Sequence, residues 1–438
     1  MVLWPAAAVI LALAGAPAGA SPLQARIDAA LPGATIVVGP GTYQGDLVIN
    51  RPVRLVGRGR PLLLGSGTGS VVSIRAAGVT LEGFDVDGRG GGDLGKDSSG
   101  IHIAAPRARV RDCRIRGSLF GIYLREAHGS AVERCTVDGI PGKDPGEKGS
   151  GIHVWNTRGF RLEGNAVRQA RDGFYVQSSP GGIVRGNTAR DLRYGLHYMF
   201  SDDNLFEDNV FENGAAGAAL MYSRRITFRR NRFLRNRGFA SVGLLLKACD
   251  ELLAEDNLIA DNARGIFLEG SYDNVFRGNV VAASDAGIVL YDSCARNRFE
   301  GNSFVANLTP LQLVGRRTDT VFTGNYWSDD DEPDLDGDGR SDRPYRLSSV
   351  FDNLRGNLAA ADLLAQGPAA LALGAAEEAF PVLDAVPVED PSPLARPPAA
   401  PLVPLAGERG WRSPAGLLAS LALAGAGAFA LVRGRRSP

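Results

Sequence analysis

A four-residue unit, glycine followed by an alternating apolar pattern, recurs along the middle of the chain. It reads 100-GIHI, 121-GIYL, 151-GIHV, 173-GFYV, 195-GLHY, 217-GAAL, 243-GLLL, 265-GIFL and 287-GIVL, mostly in steps of 21 or 22 residues. Period-two alternation over so few residues predicts short strands with one buried face. Polar positions keep the same period: Asn165, Asn187, Asn209, Asn231, Asn257, Asn279, Asn302 and Asn325 run in phase with the glycines. Short strands separated by Gly/Asn/Asp turns at this period predict a solenoid. The expected fold is all-β, a right-handed parallel β-helix of about 13 coils, since each coil takes roughly 22 residues. Asparagines stacked at one turn position would bond the backbone of the next coil.

Alternation also assigns faces. Residues one and three after each glycine point into the lumen, and residues two and four point out. The first outer column reads His102, Tyr123, His153, Tyr175, His197, Ala219, Leu245, Phe267, Val289. The second reads Ala104, Arg125, Trp155, Gln177, Met199, Met221, Lys247, Glu269, Tyr291. Histidine and methionine are scarce, four and three in the whole chain. The register nevertheless sets His197 and Met199 on one strand and Met221 beside Met199 on the next. An imidazole and two thioethers on a stiff surface form a donor set suited to Cu(I), with His153 two coils back in the histidine column. The competing reading of the same face is an apolar docking surface carrying Trp155, Tyr175 and Tyr291.

Irregular segments interrupt the repeat. The step from 121 to 151 contains 140-IPGKDPGEKGS-150, and 88-GRGGGDLGKDSSG-100 is similar. Both predict loops bulging from a coil. The stretch from Leu23 predicts a short helix capping the first coil. Near the far end, 334-DLDGDGRSD-342 sets Asp334, Asp336, Asp338 and Asp342 at ligand positions of a calcium loop, with Arg340 offering its carbonyl. Tyr345 stands where the bidentate glutamate belongs, so structural Ca2+ competes with a turn cluster held by Arg343.

The ends differ from the body. Residues 1–20 read as a signal peptide and 21–347 as the β-helix. Residues 348–380 predict a short helical segment, and 381–412 a proline-rich strap or linker. The apolar run 413–432 is long enough for a transmembrane anchor, with 433–438 as a cytoplasmic tail. These ends imply a periplasmic body tethered to the inner membrane by a C-terminal helix.

Charge is balanced, with 48 Lys+Arg against 48 Asp+Glu, which leaves no polybasic case for nucleic acid. None of the four cysteines sits in a CxxC, and Cys113 and Cys135 fall where later coils place asparagine. Many β-helices are carbohydrate-active enzymes, and Asp172, Asp202, Asp203 and Asp329–Asp331 are the carboxylates one would use. Turn chemistry accounts for Asp202 and Asp203, so the expectation is a protein that is not an enzyme.

Longer blocks sharpen the picture: 194-YGLHYMFSDDN-204, 221-MYS-223, 324-GNYWSDD-330 with DLDGDGRSDRPYR, and 380-FPVLDAVPVEDPSPLARPP-398. With these the chain resembles the NosD family, periplasmic β-helical maturation proteins of nitrous oxide reductase in denitrification. The resemblance runs from about residue 22 to 400. It implies an ABC permease and ATPase as partners, a membrane-tethered copper chaperone that delivers Cu(I), and docking of the apo nitrous oxide reductase whose copper–sulfide centre is assembled. It also places His197, Met199 and Met221 in the family's histidine/methionine block. Transient Cu(I) binding and a metal-free docking scaffold for reductase and chaperone both remain open.

Overall fold

A computed structural model describes residues 21–347, except 239 and 316, together with 388–398. Three parallel sheets run the length of a solenoid. The first extends from Thr35–Val38 to Val321–Thr323 and the second from Thr42–Gln44 to Tyr326–Trp327, with thirteen strands each. The third, Leu47–Ile49 to Thr309–Val314, has twelve. Each strand pairs with its counterpart one coil away, so the expected thirteen coils are present.

The inward and outward columns are those the alternation assigns. Leu196 and Tyr198 are fully buried in the lumen, as are Ile101, Ile152, Val154, Phe174, Leu244 and Ile266. Aromatic rings stack along the axis wherever successive coils repeat them. Phe276 lies 4.4 Å from Phe299, and Phe304 lies 4.2 Å from Trp327.

The asparagine ladder supplies a second axial element. Each side-chain carbonyl accepts from the backbone N–H and the side-chain amide of the asparagine one coil earlier; Asn209 Oδ1 takes both from Asn187 at 3.0 Å. The Asn187 amide also donates to the Leu162 carbonyl, 2.8 Å away. The ladder begins where Asn165 accepts from Cys135 N–H. Cys113 and Cys135 precede it as free, buried thiols, and Cys249 and Cys294 are free and buried as well.

A stacked array must be ended at both faces, because open edges invite further pairing. At the start, the helix Pro22–Ala29 buries Leu23 and Ile27 over the first coil. Its Gln24 amide completes the edge by exchanging two hydrogen bonds with the backbone of Val48 (3.0 and 2.9 Å). At the far end, the strap closes the ladder. Glu389–Asp390 pairs antiparallel with Tyr345–Arg346, and the fully buried Asp390 carboxylate stands where the next asparagine would be. It accepts from Asn325 N–H (2.8 Å), the Asn325 amide (2.9 Å), Gly324 N–H (3.0 Å) and Trp327 Nε1 (3.3 Å).

The expected membrane-spanning helix requires correction. Among the described residues no helix is long and apolar enough to cross a membrane. The α-helix Pro22–Ala29 has 8 residues, which is about 12 Å at the usual rise and short of a hydrocarbon core. Residues 413–432, where the anchor was expected, lie outside the described residues. The fold is therefore a β-solenoid with a short capping helix, and tethering to the inner membrane is withdrawn from its localisation. The expected signal peptide 1–20, the helical segment 348–380, the tail 433–438 and all of 381–412 except 388–398 also fall outside them.

Replacing Asp390 by alanine would leave four buried donors facing an apolar gap. Stability should fall by about 2–4 kcal/mol, read as a lower Tm or denaturant midpoint. An unchanged midpoint would show that water can replace the carboxylate and that the strap does not close the solenoid.

Candidate functional site

The outer face of the third sheet carries the scarce donors. Strand Tyr194–Met199 pairs with Ala216–Arg224 so that His197 faces Ala219 and Met199 faces Met221. In-register neighbours lie about 4.8 Å apart, so the two thioether side chains leave the sheet side by side. Both are half-buried. The Tyr175 hydroxyl, which donates to Gln177 Oε1 (2.8 Å), stands 3.6 Å from Met199 Sδ.

His197 is held from beneath. Its Nδ1 lies 3.3 Å from Asp172 Oδ2, and Arg193 donates to both oxygens of that carboxylate at 2.8 and 2.7 Å. The Asp172 side chain is fully buried. Burial alone would push its pKa up; hydrogen bonds from His197 and Arg193 outweigh that and hold it below the usual carboxylate range. Arg193 stacks on the Tyr194 ring at 4.3 Å. His197 Nε2 has no hydrogen-bond partner among the described residues, which leaves it free for a ligand.

From His197 the first outer column continues as alternating imidazole and phenol rings. Tyr175 lies 4.7 Å from His197, His153 is 4.4 Å beyond it, Tyr123 a further 4.4 Å, and His102 then 5.3 Å. Tyr175 thus separates His153 from the His197 group. The two irregular loops, which contain short 3-10 turns at Leu94–Lys96 and Pro145–Glu147, rise beside this end. There Leu119, Phe120, Tyr123 and Ile140 form a small cluster of their own, with Trp155 packed against it. Arg125 lies over the Trp155 ring. Of the expected docking residues, Trp155 and Tyr175 are therefore engaged within the chain, and Tyr291 packs beside Phe267 at 5.4 Å.

Away from the loops the face is open. Alanine at 219 leaves a dent, and the longer step from 217 to 243 raises a wall beside it. The result is a pocket of about 450 Å3 lined by Tyr194, Ala215, Ala219, Met221, Val242 and Leu245. On the other side of the methionines, the rings of Phe200 and Tyr222 stack at 5.1 Å, 53% and 49% exposed. Both hold positive φ (51° and 53°) at a turn position where neighbouring coils place Asn156, Ser178 and Gly270. Bulky aromatic residues are uncommon in this conformation, and here the two rings cover one another at the surface.

The acidic loop also forms. Asp334, Asp336 and Asp338 bring carboxylate oxygens within 4.8 Å of one another. Each accepts from backbone amides of its own loop: Gly337 and Gly339 to Asp334, Asp338 N–H to Asp336, and Arg340 N–H to Asp338. Asp342 accepts from Leu335 N–H, and Arg340 reaches the Ser392 carbonyl in the strap at 2.8 Å. These turns account for the cluster's shape and fasten the strap. Asp202 and Asp203 pair with Arg225, consistent with turn chemistry.

Sequence reasoning placed His197, Met199 and Met221 correctly on one face but assigned Asp172 only to a hypothetical glycan site. A signal was present. The residue before each repeat glycine is Ser99, Phe120, Ser150, Asp172, Tyr194, Ala216, Val242, Arg264 or Ala286, and Asp172 is the acidic residue among them. The pocket and the aromatic pair were missed as well.

His153 makes a measurable prediction. Burial pushes its pKa down to about 3 from an ordinary 6.5, and its Nδ1 lacks a hydrogen-bond partner. The folded pKa lies below the unfolded one, so the unfolded chain takes up the proton first. The resulting stability is complete above about pH 6.5 and is lost as pH falls toward about 3. His153→Phe should remove this dependence, narrowing the Tm difference from neutral pH to pH 4. Parallel Tm–pH curves for the two proteins would refute the assignment.

Comparison with known proteins agrees with this architecture. The family described as periplasmic copper-binding protein (NosD) matches residues 140–332, and a right-handed β-helix family matches 65–204. A probable ABC transporter binding protein NosD of Stutzerimonas stutzeri is 34% identical over 374 residues, covering 81% of this chain and 85% of that one. The protein of the same name from Pseudomonas aeruginosa is 33% identical over 376 residues, covering 82% and 88%. Among solved structures, the A-module of the Azotobacter vinelandii mannuronan C-5 epimerase AlgE6 superposes with a TM-score of 0.57 at 16% identity, covering 68% of this chain and 93% of that one; this likeness concerns the fold alone. Both relatives are named as probable binding proteins of an ABC transporter. The chain belongs to the NosD family.

Proposed function

We propose that the protein is a periplasmic accessory component of an ABC-type complex, and that it supports copper delivery to nitrous oxide reductase and assembly of its copper–sulfide centre. In this reading Cu(I) is cargo, held in transit by His197, Met199 and Met221. The observation that carries it is the pairing of Met199 with Met221 across adjacent coils, next to an imidazole whose Nε2 is unengaged. The family's description as copper-binding supports the same reading.

The donors suit a carrier. Thioether sulfur and imidazole nitrogen are neutral and soft to borderline, which favours Cu(I) over magnesium or calcium. They add no fixed negative charge at the metal, so release to a thiolate- or sulfide-rich acceptor is downhill. The solenoid holds the donor columns in place, so only the methionine side chains need adjust. His153, set apart by Tyr175, would serve as a further nitrogen along the column. Partners in this reading are the permease and ATPase subunits, a membrane-tethered copper chaperone as donor, and the apo-reductase as acceptor.

A second reading, a docking scaffold without metal, is favoured by the pocket beside Met221 and the exposed Phe200–Tyr222 pair. Anaerobic Cu(I) titration against a competing chelator separates the two. The wild-type protein should take up one tight equivalent. His197→Ala and the double variant Met199→Ala/Met221→Ala should each bind more than about tenfold more weakly. Equal binding by all three proteins would leave the scaffold.

A further inference from the structure

We propose that Asp172 is the positioning residue of His197: it accepts the Nδ1 proton, fixes the imidazole as the Nδ1–H tautomer, and so makes Nε2 the nitrogen presented to a metal. The consequence for copper rests on the function proposed above; the tautomer does not.

The geometry offers His197 two partners at nearly equal range. Asp172 Oδ2 lies 3.3 Å from Nδ1, and Arg193 Nη2 lies 3.4 Å from the same atom. These demand opposite tautomers. If Nδ1 carries its hydrogen it donates to Asp172; if it is bare it accepts from Arg193. Three facts favour the first. Arg193 already donates to both Asp172 oxygens at 2.8 and 2.7 Å, so its shortest bonds are committed elsewhere. A bare Nδ1 would set its lone pair against a fully buried carboxylate, where repulsion is poorly screened. And Nε2 has no acceptor among the described residues, so a hydrogen there would gain nothing from the protein.

The ring is braced on further sides. Tyr175 and Tyr194 meet it edge-on at 4.7 and 5.2 Å, nearly perpendicular in both cases (85° and 84°). Arg193 in turn lies over the Tyr194 ring, 4.3 Å from its centre. Carboxylate, guanidinium and the two phenols thus fix both the tilt and the tautomer of one imidazole. A histidine that ligates through one nitrogen commonly donates its other N–H to a carboxylate, and loss of that partner typically weakens metal binding by about 10–100-fold.

Nitrogen-15 long-range correlation spectra of the metal-free protein, labelled at histidine and recorded at neutral pH, read the tautomer directly. His197 should show a protonated Nδ1 and a bare Nε2. The reverse pattern would overturn the proposal and leave the copper reading untouched. Asp172→Asn keeps the side-chain shape while removing the charge, and a Tm scan reports whether it folds. In the folded variant the two tautomers should become mixed, and Cu(I) affinity should drop about 10–100-fold. A wild-type-like tautomer in the variant would also overturn the proposal. A changed tautomer with unchanged Cu(I) affinity would uphold the positioning role and remove His197 from the copper site.

Discussion

From Asn165 onward, each coil of this protein depends on a hydrogen bond that it cannot make alone. The turn asparagine of one coil satisfies the backbone N–H and side-chain amide of the asparagine before it, and is satisfied in turn by the one after. Such a chain is cooperative along the axis and incomplete at its ends. That explains why the last rung is a carboxylate. Asn325 needs an acceptor with no further coil to supply it, and Asp390 reaches back across 65 residues to provide one. The solenoid is therefore closed by sequence far from its repeats, and the acidic loop contributes by fastening the strap that carries Asp390.

A stiff axis converts sequence period into surface chemistry. Because coils stack in register, any outward position becomes a column, and a single substitution acts on neighbours above and below it. Alanine at 219 lines a pocket with Tyr194, Met221 and Leu245. Phenols at 123 and 175 isolate the imidazoles from one another. The longer steps put loops over one end of the face and a wall beside the pocket at the other. The covered end buries Tyr123 and pushes its hydroxyl pKa up to about 12, while the open end leaves Phe200 and Tyr222 in solvent. One sheet thus carries a covered half and an open half, with the methionines at their junction.

Features repeated at the coil period were legible in the sequence. The glycine units gave the faces, the asparagines gave the ladder, and the length from about 35 to 325 at their period gave the thirteen coils. Features that join residues at other separations were hidden. Asp172 meets His197 one coil and three residues away, and Asp390 meets Asn325 through a strap with no repeat at all. The docking residues were only partly legible, since alternation places Trp155 and Tyr175 outside but cannot show that Phe120 and Ile140 fold over that end of the face. The membrane expectation came from apolar length, the arginines that follow it and the proline-rich stretch before it, and no helix among the described residues is long and apolar enough to cross a membrane.

The placement of sulfur bears on how such a surface could pass copper on. All four thiols are buried; burial pushes Cys249 up to about 12 and raises Cys135 and Cys294, while a hydrogen bond with Cys135 lowers Cys113. A thiol in that range stays protonated, which withholds the anionic form that binds metal and reacts with oxidants. The two thioethers of the body instead face outward beside His197. Thiolate would bind Cu(I) more strongly and would be open to oxidation outside the cytosol. A thioether binds more weakly and needs no deprotonation. In the copper reading proposed above, segregating the two kinds of sulfur would let this surface accept a soft ion and then lose it to a stronger ligand, which is what delivery requires.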